Sequence, residues 1–294
     1  MLILHDPRCA DYGSSARPEQ PSRVTATAAH LRAAHPAWAW RVPAGPADDA
    51  MLLLAHTPAH LRRLAQPEDF DADTPFFPDI GTHARRAVAA AVEAAHHALT
   101  TRTPAFALMR PPGHHALADA AMGFCYLNQI AIAAIAARKN FGAAKVAIWD
   151  FDAHHGNGTE AIVRGQENLF FASVHQYPGY PGSGSQDHGP LIRNWPVAPR
   201  TPRVDHLAAL RASLDAVVSY APDLILVSAG FDAYARDPIT EMTLEREDFA
   251  TLGRWLRETR RPAAAVLEGG YSAELPLLVE AFLTAWDNPA STAA

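Results

Sequence analysis

The sequence predicts an α/β fold, a single domain built on a mostly parallel multi-stranded sheet with helices on both faces. Three observations lead there. Short apolar runs, several of them β-branched, alternate along 294 residues with longer helical stretches, the pattern of strand–helix–strand units. Several of those runs are apolar throughout rather than alternating, as strands covered on both faces must be. No linker or internal repeat divides the chain, and α/β folds of this length often form one unit.

Taken in order, Leu2 to Leu4 is a short first strand ending at His5-Asp6. A proline-punctuated loop, Arg17 to Arg23, leads into a helix near Val24 to His35. Ala47 to Gln66 is helical with a break at Pro58, and Pro67 to Gly81 is a long acidic and aromatic loop. Thr82 caps an alanine-rich helix running to about Leu99. Ala105 to Met109 is a strand, Asn128 to Arg138 a helix, and Val146 to Trp149 the central strand. Leu169 to Val174 is a further strand, followed by a loop to Arg203 rich in glycine, proline and tyrosine. Then come a helix at Val204 to Tyr220, a strand at Asp223 to Ser228 and a helix at Thr243 to Arg260. A strand at Ala263 to Leu267 and a helix at Ala273 to Trp286 complete the set, with 287–294 a frayed tail.

Composition narrows the class of protein. A hydrophobic fraction of 49% is ample for a large core, and a net charge of −6 without a basic cluster argues against a nucleic-acid partner. Cys9 and Cys125 are the only cysteines, too few for a disulfide scaffold or a cysteine-based zinc site, and they fit a reducing compartment. No signal peptide or membrane span is readable, so the expectation is a cytoplasmic protein with no membrane partner.

The polar clusters fall where strands end. In an extended chain alternate residues share a face, so Asp150, Asp152 and His154 project together from the end of the central strand. His114-His115 follow the strand at 105–109, Asp232 follows the one at 223–228, and Gly269 to Tyr271 follow the last. Ligands of parallel sheets bind at the carboxyl ends of the strands, so four such clusters point to one active site. Asp152, His154 and Asp232 supply three ligands of mixed oxygen and nitrogen type, the number that catalytic zinc commonly takes while keeping a position for water. Water so bound falls from a pKa of roughly 16 to about 7 and becomes a nucleophile at neutral pH. His114 and His115 can accept and return a proton, and Tyr271 can stabilise an oxyanion. Those parts describe metal-assisted hydrolysis of an amide or ester.

The motifs Arg110-Pro-Pro-Gly-His-His115, Gly123-Phe-Cys-Tyr-Leu-Asn128, Asp150-Phe-Asp-Ala-His-His-Gly-Asn-Gly158, Ser228-Ala-Gly-Phe-Asp232 and Glu268-Gly-Gly-Tyr271 together resemble the signature set of the zinc-dependent histone deacetylases. The wording is closest to the class II branch and to bacterial deacetylase-like amidohydrolases, and it spans Arg17-Pro-Glu to Tyr271. The resemblance implies the arginase–deacetylase fold, one zinc ion per chain, and removal of an acetyl or other short acyl group from a lysine-like amine. The substrate would be an acyl-lysine protein or peptide, or a small acylated amine. Carried over by position, Asp152, His154 and Asp232 match the zinc ligands. His114 and His115 match the tandem histidines, Asp150 the carboxylate partner of His114, and Tyr271 the oxyanion-stabilising tyrosine. Gly123 and Phe124 match one wall of the acyl-lysine tunnel, Tyr180 the opposing aromatic, and Asp73 an acid that hydrogen-bonds substrate backbone. A monovalent cation, potassium in type, would use Asp150, Ser173 and the backbone around Asp152 and His154.

Three departures stand out. Asn157 occupies a place where part of the family has a carboxylate, so His115 is expected to be the general base and His114 the electrostatic partner. Ile239-Thr-Glu-Met242 is bulkier than the family's glycine-rich turn, and Tyr180 adds a hydroxyl to the tunnel wall. Three rival readings remain. A binuclear ureohydrolase would need an acid where His155-Gly156 stand. An acetylpolyamine amidohydrolase would favour an acid at the gate where Ile239 stands, with Glu241 close by. A non-catalytic acyl-lysine binder would be expected to have lost a ligand or Tyr271.

Overall fold

A computed structural model describes residues 1–287. Eight strands form one all-parallel sheet: β1 (Leu2–Leu4), β2 (Ala39–Arg41), β3 (Ala105–Ala107), β4 (Val146–Asp150), β5 (Leu169–Gln176), β6 (Ile192–Val197), β7 (Leu224–Ala229) and β8 (Ala263–Leu267). Their order across the sheet is β2-β1-β3-β8-β7-β4-β5-β6. The helices are α1 (Ser22–Ala34), α2 (Asp49–Leu52), α3 (Pro58–Arg63), α4 (Ile80–Thr101), α5 (Gln129–Asn140), α6 (Asn157–Val163), α7 (Arg203–Ser219), α8 (Arg246–Glu258) and α9 (Leu275–Asp287). α4 packs on α5, whereas α1 and α8 both pack on α9. β4 shows why the central strands read as continuous apolar runs. Trp149 turns to α7, where its Nε1 donates to Ser213 at 2.9 Å, and its neighbours Ile148 and Asp150, equally buried, take the opposite face.

Several expectations are corrected. β2 and β6 were not foreseen, being short edge strands whose pairing the sequence barely marks. β6 carries Pro196 inside the stretch expected to be loop, a residue tolerated only at a sheet edge. α6 begins immediately after the metal-type motif, where only a tight exit was expected. The 47–66 region is two short helices capped by the Asp48 and Thr57 side chains, with Pro58 opening the second rather than breaking a longer one. Thr82 is not a cap, because α4 starts two residues earlier after Asp79, whose φ of 60° is left-handed. α8 starts at Arg246 behind a capping box formed by Glu245 and Asp248. Of the expected tail, Asp287 still belongs to α9, and 288–294 lie outside the described residues. Among the described residues no helix is long and apolar enough to cross a membrane.

Candidate active site

β3, β8, β7, β4 and β5 lie side by side, so the segments that leave their carboxyl ends meet over the middle of the sheet. β4 stops at Asp150, and Asp152 and His154 therefore do not share a strand face as expected. They converge through a bent segment instead. The Asp152 N–H donates to Asp150 Oδ1 at 3.1 Å, and the His154 N–H donates to Asp152 Oδ1 at 2.8 Å.

Asp152, His154 and Asp232 each aim one ligand-type atom at a common point, all within 4.8 Å of one another. His154 Nδ1 lies 3.1 Å from Asp152 Oδ1 and 2.9 Å from Asp232 Oδ2. The remaining carboxylate oxygens are fixed from behind: Gly269 N–H donates to Asp152 Oδ2 at 2.6 Å, and Ala153 N–H to Asp232 Oδ1 at 2.8 Å. A methyl group on Gly230 would fall 2.1 Å from Asp152 Oδ2, and one on Gly269 the same distance from Asp232 Oδ2, so only glycine lets the backbone close around this cradle. Both carboxylates are fully buried, and two buried like charges are costly unless a cation or a proton offsets them. Burial opposes a charge on His154, yet Asp232 and Asp152 hold it well above its ordinary pKa, so a ring proton stands where a metal's charge would act. Two buried carboxylates and one imidazole suit a divalent metal of zinc's type. The residues present fit such an ion.

The tandem histidines sit on the next rim segment. His114 Nδ1 donates to Asp150 Oδ2 at 3.1 Å. Burial works against its charge, but the Asp152, Asp150 and Glu268 carboxylates raise its pKa to about 10. His115 faces Asn157, whose Oδ1 accepts from Nδ1 at 2.8 Å, leaving Nε2 with its lone pair. Burial drives His115 well below its ordinary pKa, helped by the charges on His114 and His154. Tyr271 is anchored by its backbone N–H to Asp237 Oδ2 at 2.7 Å and lies under the Arg23 guanidinium at 4.7 Å. Burial pushes its hydroxyl well above the ordinary range, which keeps it a proton donor.

A pocket of about 270 Å³ opens onto these groups, lined by His115, His154, Tyr271, Gly123 and Phe124, and by exposed Pro18, Asp73, Tyr180 and Ile239 and half-buried Arg17, whose exposure puts them at its mouth. Gly123 has φ of +56°, and a side chain there would press to 2.7 Å from the His115 ring. Tyr180 closes the other wall, its ring 5.2 Å from that of His115. The Tyr180 loop is held from beneath by the imidazole next to the cradle: His155 Nδ1 meets Ser183 Oγ at 2.8 Å, and its Nε2 meets Glu160 Oε2 at 3.1 Å. For potassium the structure adds an adjacency only. Asp150 and Ser173 are in register across β4 and β5, and Ser173 Oγ already bonds His175 Nδ1 at 2.9 Å.

Residues 17–285 match the family described as "Histone deacetylase domain". The chain belongs to the histone deacetylase family. An archaeal relative from Methanothermobacter thermautotrophicus, described as a probable deacetylase, is 35% identical over 291 residues, 93% of this chain and 86% of its own. Among solved structures, the HDA15 HD domain superposes with a TM-score of 0.90 at 28% identity, covering 98% of this chain and 91% of that one. An acetylpolyamine aminohydrolase from Burkholderia pseudomallei gives 0.83 at 26% identity, covering 97% and 98%. The eight-stranded parallel sheet is that of the arginase–deacetylase fold, and family membership supports hydrolysis of an acyl-amine bond.

Residues assigned no role from the sequence also shape this site. Arg23 donates to the carbonyls of Gly270 and Glu268, fixing the turn before Tyr271. Glu268 accepts from the Gly113 and His114 N–H groups at 2.7 and 3.2 Å, and burial raises its pKa to about 7. Arg110 is fully buried and clasps Glu19 through two nitrogens at 2.5 and 2.6 Å, tying the Pro-Pro-Gly turn to the 17–23 loop. Arg110 and Glu268 stood in the motifs and Glu19 in the Arg17-Pro-Glu start of the resemblance, none with a role of its own, and Arg23 sat in a charged, proline-punctuated stretch.

Proposed function

We propose that this enzyme hydrolyses the amide of a short acyl group on a lysine-like amine, with a divalent metal, zinc in type, held by Asp152, His154 and Asp232. The observation that carries the reading is the convergence of these three groups, two of them buried carboxylates, beside two adjacent histidines, with His154 and His115 reaching into the pocket. Bound there, the metal would supply Lewis acidity to the acyl carbonyl and to the attacking water. Gly123, Phe124 and Tyr180 hold the extended amine chain and exclude bulk water. His115, neutral at Nε2, takes the proton of the attacking water and returns one to the leaving amine. His114 stays charged and stabilises developing negative charge. The Tyr271 hydroxyl donates to the carbonyl oxygen as that charge builds.

The lysine-like substrate is favoured over a polyamine because Ile239 lines the pocket, Glu241 is engaged by Arg200 at 2.6 Å and does not line it, and the acid in the lining, Asp73, is offset by Arg17. A non-catalytic role is disfavoured by the presence of all three ligand-type residues and Tyr271.

Metal analysis of purified protein is expected to give one divalent ion per chain, and Asp232→Ala to lose metal and turnover together. Full metal occupancy in that variant would overturn the assignment. At equal metal loading His115→Ala is expected to abolish turnover, His114→Ala to leave measurable activity, and the reverse ranking would exchange their roles.

A further inference from the structure

The mouth of the pocket carries two opposite charges that the hydrolytic chemistry does not use. Arg17 and Asp73 both line it. Arg17 Nη1 donates to the Ala72 carbonyl at 3.2 Å, which sets the guanidinium beside the residue preceding Asp73. The Asp73 backbone N–H is taken by Asp71 Oδ1 at 2.9 Å. The first bond ties Arg17 to the Asp73 loop and the second orders Asp73 within that loop, and neither pairs the two charged groups with each other. The rest of the mouth, Pro18, Tyr180 and Ile239, presents no charge.

Acylated amines differ mainly at the end far from the scissile amide. A polyamine ends there in a cation, which Asp73 attracts and Arg17 repels. A lysine within a protein ends in two neutral peptide groups. A free Nε-acyl-lysine ends in an ammonium and a carboxylate on one carbon, at the end of a four-carbon stem that suits a narrow tunnel. We propose that the mouth selects this zwitterionic end, so that the preferred substrate is a free Nε-acylated amino acid, its carboxylate on Arg17 and its ammonium on Asp73. The inference rests on the acyl-amine hydrolase reading above and names the substrate class for it. Arginine suits the task because its planar fork meets a carboxylate through two parallel hydrogen bonds. Both charges are at an open rim, so the preference is moderate and weakens with added salt.

The test uses the metal-loaded enzyme and four compounds: Nε-acetyl-lysine, its α-carboxamide, its Nα-capped acid, and N-acetylcadaverine, which lacks the carboxylate. Nε-acetyl-lysine is expected to have the highest kcat/KM, by roughly threefold to tenfold over each of the others. Arg17→Gln should bring the ratio of free acid to carboxamide close to one while preserving the ratio of free acid to Nα-capped acid, and Asp73→Asn should do the reverse. A higher kcat/KM for N-acetylcadaverine or for a doubly capped acetyl-lysine peptide would overturn the proposal. So would variants that slow all four compounds in equal proportion. If the wild-type enzyme turns over neither these four compounds nor the doubly capped peptide, the hydrolase reading itself fails, and calorimetry then decides the mouth separately. Tighter binding of Nε-acetyl-lysine than of its carboxamide upholds the zwitterion site, and equal binding overturns it.

Discussion

His115 Nδ1 lies 2.8 Å from Oδ1 of Asn157, whereas its neighbour His114 faces the Asp150 carboxylate at 3.1 Å. Burial and the charges on His114 and His154 hold His115 low, whereas the Asp152, Asp150 and Glu268 carboxylates hold His114 high, and Asn157 adds no carboxylate to offset this at His115. Asn157→Asp would favour the cationic form of His115 and raise its pKa. Since the base must be neutral, the acidic limb of kcat/KM against pH is expected to move to higher pH, with lower activity below neutrality. An unmoved limb at unchanged metal content would show that another group is the base.

The close approach of Gly269 to the Asp232 carboxylate gives a second expectation. A methyl group there would lie 2.1 Å from Asp232 Oδ2 and 2.6 Å from Asp152 Oδ2, so the carboxylates must shift. Gly269→Ala is expected to weaken metal binding by about 10–100-fold, in the range seen when partners that orient ligands are disturbed. Competition with a chelator of known affinity measures it, and wild-type affinity would mean the cradle tolerates the displacement.

Glu19 and Arg110 form a buried pair, 6% and 0% exposed at their side chains. Removing one partner strands the other charge, so Glu19→Ala is expected to cost about 3–5 kcal/mol of stability. A double change, Glu19→Leu with Arg110→Met, should recover part of that loss, since buried Arg23, which also pairs with Glu19 at 3.3 Å, still loses that partner. Denaturant unfolding of the three proteins checks both statements, and a double variant no better than Glu19→Ala would locate the cost in packing instead.

Glu160 supplies a pH dependence of stability. Burial opposes its ionisation, but hydrogen bonds from His155 and Asn194, the charge on His155 and the contact with Arg164 lower its pKa from 4.5 to about 2. A carboxylate depressed in the folded state contributes stability that is present above about pH 4.5 and lost as pH falls toward 2. Glu160→Gln is therefore expected to be less stable than wild type at neutral pH and to show a flatter decline between those limits. Parallel curves of Tm against pH for the two proteins would exclude this role.

The sequence alone determined the chemistry-bearing segments and the class of fold. Asp152, His154, Asp232, His114, His115 and Tyr271 were identifiable because each follows an apolar run, and strand alternation with helices is a local pattern. Asn157 was equally legible as a departure, and its consequence for His115 follows from the charge of one side chain. What only tertiary structure decided was adjacency. The segments after β3, β4, β5, β7 and β8 share one site because the sheet order is β3-β8-β7-β4-β5, and no local periodicity encodes the order of strands separated by whole helices. The edge strands β2 and β6 and the helix α6 were invisible for a related reason: short elements draw their stability from neighbours rather than from their own sequence. The same holds for Arg23 over Tyr271 and for Arg17 beside the Asp73 loop, whose partners lie tens to hundreds of residues away: burial and charge at those distances are set by the folded chain.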